Sequence, residues 1–404
     1  MLREWDAGVE GRTAFVRWRG RDLDPVHRAV YPRGTMHVHR SNRLEALADA
    51  LAAQQARPLS HPLHPEWVVV QSPGMATWAR MAVADRLGLA AHWEVLRPRQ
   101  LVEAVFQRAL GEDELRLDAW TRQRLAWAIL AELGADTADD PELAALHAYA
   151  PDGDVARLWQ LARRIAYVFD QYVVFRPDWI AAFEKGETPE EGIEPWQPAL
   201  WRRLVARVEG EPVCHLARRF FEAVERGTLA APLPERVSVF GVTTLPPLYV
   251  DVLQALDAVP DTEVHLYQLL PSREWFADTR SPVEIRRAVQ HLDPSHGEAA
   301  RAAHLYTEGH PLIARCGRVG RDFQEVLEGS VHYDDHDAFV SPLPEVGRGT
   351  MLQRLQDDLL TLRRPGQDGV PRHVVASDDR SVQIHGCHGP QREVEVLRDR
   401  ILDL

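Results

Sequence analysis

Gripping the terminal phosphates of a nucleotide takes glycines that let backbone amides close on the anion, a lysine for its charge, and a Ser or Thr for magnesium. The place for such a loop in this chain is the segment Val68 to Arg80, where a β-branched run breaks and a helical pattern follows. The loop reads Gln71-Ser72-Pro73-Gly74-Met75-Ala76-Thr77. It has one glycine, a proline that removes an amide donor, and no lysine. The only lysine among the 404 residues, Lys185, lies in the acidic stretch Phe183-Glu184-Lys185-Gly186-Glu187. A competent phosphate loop is excluded. A restriction-type nuclease core is excluded by the same residue, because it needs a lysine two positions after a metal-binding acid and position 183 is Phe. The acidic pair that would hold magnesium on a second strand is also missing, since Val242-Thr243-Thr244 follows Phe240-Gly241.

Other chemistry is sparse. His385-Gly386-Cys387-His388 carries metal-capable side chains, but no second cluster stands at a usable spacing. His61 and His64 read as loop residues, and no Gly-x-Ser-x-Gly pattern supports a hydrolase. One helical stretch is more suggestive. Arg157, Arg163 and Arg164 precede Phe169-Asp170-Gln171-Tyr172 and Arg176-Pro177-Asp178-Trp179. Arginine for phosphates beside aromatics for base stacking is the make-up of a single-strand channel. It is equally the make-up of a helix with core aromatics and solvated arginines, which composition alone favours.

The elements that must position these residues can be read from periodicity. Met36 opens into a strand-like segment, His37-Val38-His39, and a helix follows from Ser41 through Ala56. Trp67 to Gln71 has the character of a buried parallel strand, and Met75 to Leu87 is helical, stopping at Gly88. This strand, tight loop and helix open an α/β domain of nucleotide-binding type. From Pro98 to about Arg226 the pattern turns to successive helices, with apolar residues three and four apart such as Leu158, Leu161, Ile165 and Val168. Strands resume at Val237–Gly241 and Glu263–Tyr267, with a helix from Pro247 to Leu256 between them. Asp278 to Ala338 is polar and broken, with one helix expected over Ile313 to Leu327 and another from Met351 to Leu362. Val382 to His385 reads as a strand leading to a last helix from Gln391. Met1–Thr35 shows no clean apolar period and is expected to be a disordered extension or the product of a mis-assigned start.

The bulk properties narrow the class. With 45% hydrophobic and 26% charged residues the chain can bury a sizeable core, and no apolar run approaches the roughly 20 residues a bilayer crossing needs. Three scattered cysteines argue for a reducing cytoplasm rather than a disulfide framework. A net charge of -13 argues against a protein that coats nucleic acid, yet leaves room for DNA in a locally basic channel. Nearly all positive charge is arginine, a bias that genomic base composition explains most simply.

A run of collinear segments resembles the opening of the RecC family, the gamma subunits of RecBCD (exodeoxyribonuclease V) complexes. They are His39-Arg40-Ser41-Asn42-Arg43-Leu44-Glu45, Val70 to Trp78, Phe169-Asp170-Gln171-Tyr172 with Arg176-Pro177-Asp178-Trp179, and Trp196-Gln197-Pro198 with Leu200-Trp201. Gly241 with Leu245-Pro246-Pro247, Gly309 with Pro311-Leu312, Gly320-Arg321-Asp322 and His388 to Leu397 continue in the same order. The resemblance spans Met36 to Leu404, and family members are much longer, so the chain looks like an N-terminal portion.

That resemblance implies a degenerate superfamily 1 helicase-like parallel-sheet α/β fold with a large all-helical inserted domain, its motor residues lost. Residues 36–100 would begin the helicase-like domain and 101–230 would be helical. Residues 231–345 would return to the α/β domain, and 346–404 would carry a connecting helix and the truncated start of a second such domain. The implied role is a non-catalytic scaffold that holds RecB-type and RecD-type partners, helps split DNA ends, and threads the 3′ strand through a tunnel that scans for Chi. No cofactor is expected in this chain; ATP and Mg2+ belong to the partner subunits.

Gln71 and Asp170 match the family's Chi-reading pattern and are the leading candidates for base contacts, through an amide and a carboxylate. Thr77, Arg97, Arg163 and Arg164 complete the candidate tunnel set. Neighbouring positions depart from the family: Pro73 and Thr77 replace other polar residues, Arg97 an apolar one, Glu103 an aromatic one, and Tyr167 and Leu216 charged ones. Either the recognised sequence differs or specific reading is lost. The rivals are an active helicase or nuclease, the related AddB-type subunit with its iron–sulfur nuclease, and an α/β interaction protein with no DNA role.

Overall fold

A computed structural model of the chain describes residues 35–111, 118–134, 140–149, 154–190, 192–290, 307–330, 332–347, 349–367 and 369–403. The expectation for Met1–Thr35 thus falls almost entirely outside the described residues. In chain order the elements are β1 (Met36–Ser41), α1 (Leu44–Gln55), β2 (Glu66–Val69), α2 (Pro73–Leu87), β3 (Trp93–Leu96) and α3 (Pro98–Leu110). Then come α4 (Arg122–Glu132), α5 (Ala144–His147), α6 (Val155–Phe175), α7 (Pro177–Glu184), α8 (Trp196–Arg207) and α9 (Val213–Arg226). The order continues with β4 (Arg236–Phe240), α10 (Pro247–Asp257), β5 (Glu263–Leu269), β6 (Thr279–Arg280), α11 (Pro282–Gln290), β7 (Thr307–Glu308), α12 (Pro311–Cys316) and α13 (Arg318–Ser330). β8 (Tyr333–Asp337), α14 (Met351–Leu360) and α15 (Pro390–Leu402) complete it.

Contacts divide the chain into two units. The first holds the described residues up to Arg40 together with Leu44–Leu269 and Asp322–Ala338. Its centre is a six-stranded sheet in the order β3-β2-β4-β5-β1-β8, with β2 parallel to both β3 and β4, β4 to β5, and β1 to β8. Alternation along the strands sends side chains to two apolar layers. Trp67, Val69, Val237, Val239, Val264 and Leu266 pack with α3, α9, α10 and the Phe323–Leu327 turn of α13. Val68, Val70, Phe240 and Tyr267 face α1 and α2. Each such side chain contributes about 1.5–3 kcal/mol when fully buried, whereas an exposed ion pair such as Arg57–Glu263 adds roughly 0–1 kcal/mol. Apolar burial therefore holds the layers together.

Helices α4 to α8 surround a further apolar cluster built on Leu125, Ile129, Ile165, Phe169, Phe183 and Trp201. The long helix α6 starts at Asp154, whose carboxylate accepts from the amides of Ala156 and Arg157. It packs against α9 and α10, which ties the helical cluster to the sheet layers.

The second unit holds Ser41–Arg43, Leu270–Arg321 and Phe339–Leu404, with a small parallel pair β6–β7 and a core of Leu270, Phe276 and Ile313. Buried Arg321 donates to the Thr279 carbonyl and to Glu284, 3.2 Å away. No helix among the described residues is long and apolar enough to cross a membrane.

Three sequence expectations need correction. The single helix over Ile313 to Leu327 is two, α12 and α13, broken at Gly317, where a Cβ would lie 2.6 Å from the Ile313 carbonyl oxygen. Val382–His385 is not a strand: Ile384 is 95% exposed, and the segment has no hydrogen-bonding neighbour strand among the described residues. The polar run before Ala338 contains β8, a strand the pattern hid, anchored by parallel pairing to β1.

Candidate nucleic-acid interface

The strand order reverses between β2 and β4. The chain leaves β2 through α2 towards β3 on one side, and leaves β4 through α10 towards β5 on the other. In open parallel sheets the crevice beyond the carboxyl ends at such a reversal is where ligands bind. Gln71 and Thr243 stand there, on the loops after β2 and β4, and the Gln71 amide donates a 3.2 Å hydrogen bond to Thr243 Oγ1. Gly241 lets the second loop turn with φ +64°, with the Met75 side chain lying where a Cβ would contact it at 3.4 Å.

The start of α2 closes in a way unlike a phosphate cradle. Ser72 Oγ caps the helix by accepting from the Met75 amide at 3.2 Å, Pro73 has no amide hydrogen, and the Ala76 amide donates to the Ser72 carbonyl. Thr77 hydroxyl donates to the Pro73 carbonyl at 3.1 Å and stays exposed on the helix. One strand over, the Val70 amide donates to the Leu96 carbonyl, so exposed Arg97 reaches the same sheet edge. Its amide donates to Gln100 at the start of α3.

Asp170 occupies a different part of the unit, on α6. Arg122 of α4 donates to it at 3.0 Å and lies with its guanidinium carbon 4.9 Å from the centre of the Tyr167 ring. Arg164 approaches the same ring at 5.7 Å. On α3, Arg99 is paired with Glu103 at 2.8 Å; burial lowers its basicity, but Glu103, Tyr249 and Asp170 outweigh that and raise it. Tyr249 on α10 is pushed up to about 12, first by burial, with Arg99 opposing and Asp170 and Glu103 adding to the rise. The mostly covered Asp170 carboxylate is thus paired with Arg122, and its charge also bears on Arg99. Exposed Arg163 makes no ion pair among the described residues.

Gln71 and Arg97 therefore follow the neighbouring strands β2 and β3 and Thr77 lies in the first turns of α2, while Asp170, Arg163 and Arg164 lie along α6. Of the suggestive aromatics, Phe169 and Trp179 are buried, and only Tyr172 is half-buried. Thr243, Arg99, Arg122 and Tyr249 were not singled out as site residues by sequence. Among the described residues no three His, Cys, Asp or Glu side chains cluster in a way that could hold a metal ion.

Comparison with known proteins decides the lineage. The family model described as RecC, N-terminal domain, matches residues 36–362. The chain belongs to the RecC family. RecBCD enzyme subunit RecC of Escherichia coli (strain K12) is 32% identical over 403 residues, covering 91% of this chain and 35% of that protein. The RecC subunit of Mycolicibacterium smegmatis is 32% identical over 384 residues, and that of Haemophilus influenzae 26% over 418. The chain spans about a third of the length of these RecC relatives. The absence of a lysine at the loop after β2 is a property of this chain's own residues.

Proposed function

We propose that this chain is a non-catalytic scaffold and DNA-channel subunit of a RecBCD-type helicase–nuclease, acting in double-strand-break repair by homologous recombination. In this reading the sheet unit is a superfamily 1 helicase-like domain stripped of its motor groups, with residues 36–100 and 231–345 forming it. Residues 101–230 are its inserted helical domain, and 346–404 lead into a second helicase-like domain. RecB-type and RecD-type partners supply ATP, Mg2+ and the cutting and pulling activities, in the cytoplasm.

The observation that carries the reading is the loop after β2. It stands at the crevice where a motor would grip phosphate, but its helix start is self-capped and it offers an amide, Gln71, in place of a cation. An amide can pair with a base edge or a sugar; it cannot neutralise a triphosphate. Gln71, Thr77 and Arg97 at the sheet edge, with Asp170, Arg163 and Arg164 along α6, then guide the 3′ strand and scan it for Chi. The departures at Pro73, Glu103 and Tyr167 mean either that the recognised sequence differs or that specific reading is lost.

The test compares the purified chain with its complex with RecB-type and RecD-type partners. The chain alone should neither hydrolyse ATP nor degrade linear DNA, while the complex does both. ATP turnover by the chain alone, lost on changing Lys185, would contradict the proposal.

A further inference from the structure

β1 sends Met36 and Val38 into the core, so alternation turns His37 and His39 to the other face of the sheet. β8 lies parallel to β1, with Asp334 beside His37 and His336 beside His39. Residues in register share a face, which puts Asp334 and His336 on the histidine side. From the far side of β1, β5 adds the buried His265.

The outer pair is open to water. His37 Nδ1 and His336 Nε2 lie 3.3 Å apart, with His336 exposed and His37 half-buried. A tetrahedral cation held by imidazole bonds of about 2.0–2.1 Å keeps its two nitrogens roughly 3.3–3.4 Å apart. The pair already stands at that spacing. The ring behind each fixes its plane: His37 stacks on His265 at 4.7 Å and 15°, and His336 on His39 at 4.8 Å and 18°. Ring nitrogens of His39 and His265 meet at 3.2 Å, and the Gln54 amide holds the other His265 nitrogen at 2.8 Å. Contacts of this kind orient imidazoles that ligate a metal.

The local charge also suits a cation. Asp334 is exposed and forms no ion pair among the described residues. The arginine of β1, Arg40, lies on the opposite face, where it donates to Asp335 and Tyr333. A cation between the two rings would offset the Asp334 charge, which an imidazole–imidazole hydrogen bond does not. Two protein nitrogens converge here rather than three donors, so water fills the remaining positions.

We propose that His37 and His336 bind a borderline-soft divalent cation, Zn2+ in the first instance, which staples the edge strand β8 to β1. The inference is independent of the DNA-channel reading. β8 reads Tyr-Asp-Asp-His-Asp, and its three aspartates are poor strand formers. A ligand bond across the two strands adds to a pairing that these side chains support weakly.

The experiment is a calorimetric titration of the chelator-treated full chain with ZnCl2 in a buffer that does not bind metal, with unfolding midpoints measured in parallel. His336→Phe is the decisive variant, because it keeps a ring against His39, removes both nitrogens and lies on an exposed edge. The parent should bind Zn2+, and its midpoint should rise as the metal is added. His336→Phe and His37→Phe should bind at least about tenfold more weakly, as loss of a ligand predicts, and their midpoints should not respond. Asp334→Asn should weaken binding by a smaller factor. Absence of Zn2+ binding by the parent would overturn the site. Equal binding by the parent and a folded His336→Phe would overturn it too, and loss of that binding in the His61→Ala/His64→Ala double variant would place the cation on the loop before β2 instead.

Discussion

Arg122 and Asp170 sit on antiparallel helices and meet at 3.0 Å, the arginine partly solvated and the carboxylate mostly covered. The arginine also lies over Tyr167, so one guanidinium fixes both the acid and the ring. Arg122→Ala should cost no more than about 1 kcal/mol of stability, as for an exposed pair. It should weaken single-strand binding more than stability, since it removes a cation and releases Asp170 as an uncompensated negative charge. Parallel denaturation and anisotropy measurements check this; equal DNA affinity in parent and variant would contradict it.

Gly241 places Thr243 within reach of Gln71 by turning with φ +64°. An alanine there would adopt a left-handed conformation at a cost of roughly 1–2 kcal/mol and would press on Met75. Gly241→Ala is expected to lower the unfolding free energy by about that amount and to mimic Thr243→Val in DNA binding. Thr243→Val should leave stability within about 0.5 kcal/mol of the parent. A destabilised Thr243→Val would show that the contact is structural instead.

Arg236 and Glu66 form a buried pair at 2.7 Å on neighbouring strands, where burial raises the Glu66 carboxyl in spite of the arginine. Removing one partner strands the other in the interior. Arg236→Ala should therefore cost about 3–5 kcal/mol, far more than Arg57→Ala at the exposed pair with Glu263. Chemical denaturation of the two variants makes the comparison.

Four histidines form a ladder on one face of β5, β1 and β8, with His39 and His336 directly opposed and their rings 4.8 Å apart. Burial, then His265, His336 and His37, lower His39 to about 3, and burial chiefly lowers His265 to about 4 although Glu263 opposes it. The unfolded chain takes up protons at these two positions below about pH 6.5, which His265 and His39 refuse in the folded chain until about pH 4 and 3. Stability is thus complete above about pH 6.5 and falls as the pH drops through that window. His39→Phe keeps a stacked ring without the titration and should flatten the decline. Superimposable pH profiles would refute the ladder's part in it.

Much of the sheet was legible because burial on both faces demands what sequence displays. β2, β4 and β5 are rich in β-branched and other apolar residues, and most of each lies buried. β3 is four half-covered residues, and β8 is Tyr-Asp-Asp-His-Asp, which no propensity would make a strand. Pairing to a neighbour decides both, and a neighbour far along the chain leaves no local mark. The site divides the same way. Gln71 stood out because a strand, a proline–glycine break and a helix frame it. Its partner Thr243 lies 172 positions away, and Arg122 lies 48 from Asp170. The helical period of α6 revealed its faces.

The most direct measurement places a photoreactive side chain at position 71 in the complex with RecB-type and RecD-type partners, then supplies strand-labelled DNA and an ATP analogue. Crosslinks to the 3′-ended strand, and none to the nucleotide, are the predicted result. Crosslinking to the nucleotide at position 71 would contradict a loop that guides DNA without gripping phosphate.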